Sequence, residues 1–133
     1  MKTFDVQSIG IDRPAQEVFE YVANPANLPN WTNAFKSADD EKAELVTPAG
    51  AVPIALKTDA QPQAGTVDWF MTFPDGGIGS AYSRVTANGE DKAIYSFVLM
   101  APPVALEALE GALNEQMAIL AKELVGLKAV IEG

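Results

Sequence analysis

Residues 9–32, "IGIDRPAQEVFEYVANPANLPNWT", decide how the chain is read. Ile9 and Ile11 close a strand-like run that begins near residue 2 and carries Phe4 and Val6. Asp12-Arg13-Pro14 then stops the strand and opens a helix, because proline is tolerated at a first helical position, where its missing N–H would be unpaired anyway. Val18, Phe19 and Val22 recur at helical spacing, while Gln16, Glu17 and Glu20 lie on the other side, so this helix, about 14–23, buries a single stripe. Asn24-Pro25 ends it, since the residue before proline is pushed away from helical torsions. The same restriction returns at Leu28-Pro29, leaving room for one more short turn before Trp31 and Phe35.

From 41 to 100 the period changes to two. Turn signals at "TPAG" (47–50), "AQPQAG" (60–65), "FPDGG" (73–77) and "ANGED" (87–91) separate strands at about 42–47, 52–59, 65–73, 78–87 and 92–100. With residues 2–11 this predicts a six-stranded sheet, antiparallel because the connections are short. After Pro102-Pro103 the pattern is helical to about 131, with Leu106, Leu109, Leu113, Met117, Leu120, Leu124, Leu127 and Ile131 three or four apart. At about 1.5 Å per residue that helix spans roughly 40 Å, enough to cross a small sheet. The fold class is α+β, and the 133 residues read as one domain, 1–133.

Composition narrows the function. With no cysteine and no histidine, disulfides, thiolate sites and the usual transition-metal ligands are absent, so no metal or other cofactor is expected. A formal charge of −9 repels phosphate backbones and anionic lipid, so no nucleic-acid partner and no membrane insertion are expected. "MKTFDVQSIG" lacks the apolar run of a secretory signal, which leads to a cytoplasmic expectation.

The opening stretch, with "GTVDWFMTFPDGG" and "YSRV" in the middle and "LEGALNEQMAILAKELVGLKAVIE" at the end, resembles the helix-grip fold of START-like and polyketide cyclase/dehydrase-like (SRPBCC) proteins over the whole chain. The resemblance implies a sheet curved around the long C-terminal helix, two short helices after the first strand, and a cavity between sheet and helix. The two prolines would then carry Trp31 and Phe35 to the mouth of that cavity, the alternative for Trp31 being an aromatic plug in the core.

Pairing Asp68 with Arg84 across the "PDGG" hairpin also opposes Phe70 and Tyr82, Thr66 and Thr86, and Thr72 and Ser80 on one face. The other face sets Trp69 against Ser83, Met71 against Ala81, Phe73 against Gly79 and Val67 against Val85, large beside small, and is assigned to the helix. A slip of one residue would instead turn Tyr82 and Arg84 inward as anchors for an anion. Tyr95, Phe97 and Leu99 are expected inward, with Ile94 and Val98 outside, where an apolar patch allows a homodimer contact. On the long helix, Gln116 and Glu123 fall on one row beside the leucine stripe, placed either to face a cavity or to snorkel to water. Gly111 and Gly126 fall near the solvent side.

The ligand-binding wall expected from this reading is Trp31, Trp69, Met71, Phe73, Ser83, Tyr95, Phe97, Leu113, Gln116, Met117 and Leu120. Its natural occupant is a small apolar or aromatic molecule. The alternatives are a cofactor-independent cyclase, dehydratase or hydrolase acting on a polyketide-like substrate, and a dimerising interaction module with a filled core. Asp59 and Asp68 are the carboxylates nearest aromatic strand residues, with Tyr82 and Tyr95 as donors, but both aspartates also read as ordinary strand positions, so no catalytic residue is assigned.

Overall fold

A computed structural model describes residues 3–47, 50–100 and 106–133, with the side chains of 47 and 106–112 left out. The "TPAG" turn at 48–49, Pro102-Pro103 and the side chains of Leu106, Leu109 and Ala112, with Gly111, therefore lie outside the described residues. The chain runs β1 (Phe4–Ile11), α1 (Ala15–Ala23), a 3-10 turn (Pro25–Asn27), α2 (Leu28–Trp31), β2 (Phe35–Ala38), β3 (Lys42–Thr47), β4 (Gly50–Gln61), β5 (Thr66–Thr72), β6 (Ile78–Ala87), β7 (Ala93–Met100) and α3 (Leu106–Glu132).

Among the described residues the antiparallel sheet has seven strands, not six, in the order β1-β7-β6-β5-β4-β3-β2. The additional strand is β2, "FKSA". It pairs only with β3, as an edge strand, and its register shifts between Phe35 and Ser37, so four residues with an irregularity show no alternation. Pro14 stands just before α1, and the helix ends at Asn24, whose extended backbone (φ −85°, ψ 109°) is what the following proline requires. The Asn24 carboxamide accepts from Ala26 N at 3.1 Å, and Asn27 Nδ2 donates to the Tyr21 carbonyl at 3.0 Å. With Asn27 N on Asn24 O at 3.0 Å, these bonds pair part of the backbone that the proline break frees.

The β5–β6 hairpin differs from the expected pairing by two residues. Trp69 opposes Ala81, Phe70 opposes Ser80, Met71 opposes Gly79 and Thr66 opposes Arg84. The cause is the turn. Phe73 N donates to Gly77 O at 2.8 Å and Gly76 N to Phe73 O at 2.9 Å, with Gly76 at φ +88°. Pro74-Asp75-Gly76 is therefore a three-residue loop ending in a left-handed glycine, tighter than the one assumed from sequence. A slip of two preserves the faces, so Trp69 and Met71 remain on the helix side. It dissolves the proposed Asp68–Arg84 pair: Asp68 lies opposite Asp59 and accepts from Ser83 N at 3.4 Å, and no ion pair joins it to Arg84 among the described residues. The Phe70 and Tyr82 rings still meet edge to face, diagonally, with centroids 6.0 Å apart.

The core lies between this face and the helices. Leu120, Leu124 and Leu127 of α3, Val18 and Val22 of α1, and Leu28 and Trp31 of α2 pack on Ile54, Leu56, Val67, Trp69, Val85, Tyr95 and Phe97 of the sheet. β7 faces as expected: Tyr95 and Phe97 are buried and Ile94 is exposed. α3 is tied to β1 by Gln7 Nε2 on Met117 O (3.0 Å), and to the residue just after β1 by Asp12 N on Glu132 Oε2 (2.8 Å). No helix among the described residues is long and apolar enough to cross a membrane.

Candidate functional site

Four rings meet where α2 crosses the sheet beneath α3. Trp31 lies 6.4 Å from Trp69, 6.2 Å from Tyr95 and 6.5 Å from Phe97, centroid to centroid, nearly perpendicular to the last two (87° and 81°). Trp69 stacks on Phe97 at 6.0 Å and 28°. The parity of β5 and β7 brings Trp69, Tyr95 and Phe97 to one face, and the break at Asn24-Pro25 delivers Trp31 over them. Offset and edge-on contacts of this kind are the favoured geometries of aromatic pairs.

Beside this cluster is a cavity of about 60 Å³, lined by Leu28, Trp31, Thr32, Phe35, Trp69, Met71, Ala81, Phe97, Leu120 and Glu123. Of the residues expected to form the wall, Trp31, Trp69, Met71, Phe97 and Leu120 meet here. Trp31 is only 5% exposed, so it serves as core plug and cavity wall at once. The other six do not line the cavity. Tyr95 is wholly buried against the edge of Trp31. Ser83 is buried opposite Phe97, its hydroxyl committed to Val67 O at 2.6 Å. Phe73 lies over Gly79, where an added Cβ would stand 3.2 Å from its ring. Leu113 is buried and Gln116 and Met117 half-buried nearer the N-terminal half of α3. Leu28, Thr32, Phe35, Ala81 and Glu123 complete the wall. Ala81 enters through the two-residue slip of the hairpin, which puts it opposite Trp69. Leu28, Thr32 and Phe35 arrive with the α2–β2 segment.

Among the described residues, Glu123 is the one ionisable group in the wall. Its Oε2 accepts from the backbone N–H of Asn33 at 2.6 Å, joining α3 to the α2–β2 segment at the rim. Burial pushes this carboxyl above its ordinary range, partly opposed by the Asn33 hydrogen bond. Deeper, burial pushes the Tyr95 phenol up; the Ser83 hydroxyl works in the other direction, but its own proton goes to Val67 O. Among the described residues, the buried Trp31 Nε1 and Trp69 Nε1 have no hydrogen-bond partner.

A second, larger concavity of about 610 Å³ is a surface groove between α1, the 62–65 turn and β6, bordered by Gln16, Phe19, Glu20 and Arg84. It shares no residue with the aromatic cavity and holds none of the expected ligand residues. Arg84 is exposed there, so the alternative that turned Arg84 inward does not hold.

With this geometry in view, the solved structures that superpose on the chain are informative. The di-domain ARO/CYC BexL from the BE-7585A biosynthetic pathway matches with TM-score 0.72 and 20% identity over 99% of this chain, which corresponds to 47% of that protein. A START superfamily protein from Mycobacterium smegmatis matches with TM-score 0.68 and 13% identity over 98% of both chains. The chain carries the helix-grip fold. An aromatase/cyclase from Streptomyces sp. R1128 likewise gives TM-score 0.67 and 10% identity over 97% of this chain and 93% of its own. At the level of sequence, no family model and no curated protein matches. The helix-grip sheet and α3 thus frame the aromatic cavity, and at these identities the likeness extends to the fold alone.

Proposed function

We propose that this helix-grip chain, acting as one domain, binds a small apolar or aromatic molecule in the cavity between sheet and α3. The observation that carries the reading is the wall itself: Trp31, Trp69, Phe97, Met71, Leu28 and Leu120 surround a cavity whose single charge, Glu123, sits at its rim. At about 60 Å³ the cavity has the volume of roughly two waters, whereas a cavity of about 150 Å³ takes up benzene. Binding therefore requires the wall to widen. Met71 supplies a flexible side chain, and among the described residues the Asn33–Glu123 hydrogen bond is the one that ties α3 to the α2–β2 segment, at the rim that has to open.

A second reading, acid/base catalysis on a cyclisable or dehydratable substrate, is favoured by Glu123, a half-buried carboxylate with a raised pKa beside an aromatic wall. The aromatase/cyclases among the structural matches accord with it. Native mass spectrometry of the chain purified from its own host distinguishes the readings. A retained small molecule supports binding. Turnover of that molecule that is lost in Glu123→Gln supports catalysis. A clean apo mass with a concentration-dependent dimer overturns both in favour of an interaction module, for which the exposed Phe4, Val6 and Met100 on the outer face are the available surface.

A further inference from the structure

The face of the sheet turned away from the helices is divided by charge. α1, α2 and α3 pack on the opposite face, and among the described residues no helix lies over this one. Cross-strand partners share a face, which fixes its make-up: Phe4 opposes Met100, Val6 opposes Val98, and Val98 opposes Tyr82 on its other side. Tyr82 in turn meets the Phe70 ring on β5 at 6.0 Å. Phe4 and Val6 are 49% and 55% exposed, and Met100, Ile94 and Ile78 are exposed with them. None of the outward residues of β1 (4, 6, 8, 10), β7 (94, 96, 98, 100) or the first half of β6 (78, 80, 82) is charged, on a chain 20% of whose residues are. The outward positions farther along the sheet are charged but balanced, Lys42, Lys57 and Arg84 against Glu44, Asp59 and Asp68. These strand positions are thus neutral as a set, and the net charge of −9 is carried by the remainder of the chain.

Going beyond the ligand-binding reading, we infer that this face docks a second copy of the chain, sheet against sheet across a two-fold axis, with Phe4, Val6, Val98, Met100 and Tyr82 of each copy at the contact. Scattered exposed apolar residues need no partner, but a continuous uncharged strip does, and depletion of charge marks the buried centre of an interface. Charge also selects the occupant. Two chains of net charge −9 repel one another through any acidic surface, whereas a neutral face lets them approach. A basic protein would find no excess of carboxylates here, and a lipid surface none of the flanking lysines and arginines that hold an amphipathic face to it. With strands about 4.8 Å apart and about 3.4 Å per residue, the β1–β7–β6–β5 part of the face measures roughly 19 by 25 Å, or about 500 Å² per copy. A stacked pair therefore buries about 1,000 Å² in total, the size of a weak, reversible interface. The aromatic cavity lies on the other side of the sheet, so docking and ligand binding are separate events.

Sedimentation velocity of the chain from about 5 µM to about 1 mM tests this, and should show a reversible monomer–dimer equilibrium with a dissociation constant of about 10–500 µM. Raising salt from about 50 mM to about 500 mM should hold or tighten the dimer, since it screens the repulsion between two acidic chains. Val6→Lys puts a charge into the strip and should raise the dissociation constant about tenfold or more, although one added positive charge on an acidic chain would by itself ease association. Val125→Lys adds the same charge at an exposed apolar residue of α3, on the helix side of the molecule, and should leave the dimer as it is. Ser8→Lys, at an exposed outward position opposite Ser96, repeats the test if circular dichroism shows that Val6→Lys is unfolded. A chain that stays monomeric to about 1 mM, a dimer that weakens with salt, or a dimer equally strong in the β1 variant and in Val125→Lys overturns the inference. So does co-sedimentation of the wild-type chain with phosphatidylcholine vesicles that is lost in Val6→Lys, which would assign the face to a lipid surface. The ligand-binding reading stands or falls on a retained molecule and on none of these outcomes.

Discussion

Trp69 is where stability and binding meet on one side chain. It is 3% exposed, stacked on Phe97 and 6.4 Å from Trp31, with small Ala81 directly opposite. Truncation to alanine leaves a void, and Trp69→Ala should lower stability by about 3–5 kcal/mol. Trp69→Phe keeps the stacking and should lose roughly 1–2 kcal/mol, both read from urea denaturation midpoints. Glu123 supplies a pH-dependent counterpart. Its folded pKa lies above the ordinary 4.5, so between those values the folded chain holds a proton that the unfolded chain has released. Its contribution to stability is therefore greatest below pH 4.5 and is lost as pH rises through the folded value. Asp39 and Glu132 are shifted downward, the opposite sense, but they are present in both proteins when wild type is compared with Glu123→Gln. The stability of wild type minus that of Glu123→Gln should become more favourable on acidification from pH 7 toward pH 4; a difference flat with pH would mean that Glu123 is fully solvated.

At the scale of elements, two positive-φ glycines separate torsional strain from steric exclusion. Gly65 (φ +75°) follows the β4–β5 turn, and a Cβ there would meet Val85 O at 2.2 Å across the sheet; Gly89 (φ +86°) has nothing within 4 Å. Gly89→Ala should lose about 1–2 kcal/mol from backbone strain alone, and Gly65→Ala clearly more, because Val85 O belongs to the β6 backbone and Val85 N already donates to Gly65 O at 2.8 Å. Within α3, Gly126 has open space around it, so Gly126→Ala should stabilise by about 0.5–1 kcal/mol, measured in the same assay.

These elements were unequally legible in the sequence. The leucine row of α3 and the proline-broken start were readable because each follows from local spacing and torsion. The faces of β5 and β7 were readable because parity survives a two-residue slip. The slip was not, since it depends on Pro74-Asp75-Gly76 closing as a three-residue loop where five residues were assumed. β2 was hidden because an edge strand of four residues with a register shift has too few positions to alternate.

Across the whole molecule, the legible part of the candidate site is the part carried by sheet parity: Trp69, Met71 and Phe97. The rim was legible in part, with Glu123 on a row able to face a cavity and Phe35 carried to its mouth, but the contact that joins them is tertiary, formed where the α2–β2 segment reaches Glu123, 90 residues away from Asn33 in sequence. Spacing placed Gln116 and Glu123 on one α3 row, yet the cavity lies under only one half of that helix, and Glu123 lines it. The outer face meanwhile keeps Phe4 against Met100 and Val6 against Val98, so its apolar character is spread over neighbouring strands.

The central claim is that a small aromatic molecule occupies the cavity beneath α3, and fluorine NMR of the chain labelled with fluorotryptophan addresses it most directly. The protein has two tryptophans, both in the wall, so two resonances report the site, assigned by the loss of one in Trp69→Phe. On titration with acetophenone, both should shift saturably along one binding curve, and the shifts should be abolished when Ala81→Phe fills the space opposite Trp69. Two resonances that stay unmoved while a small aromatic molecule demonstrably binds elsewhere, for example in the groove beside α1, would contradict the account.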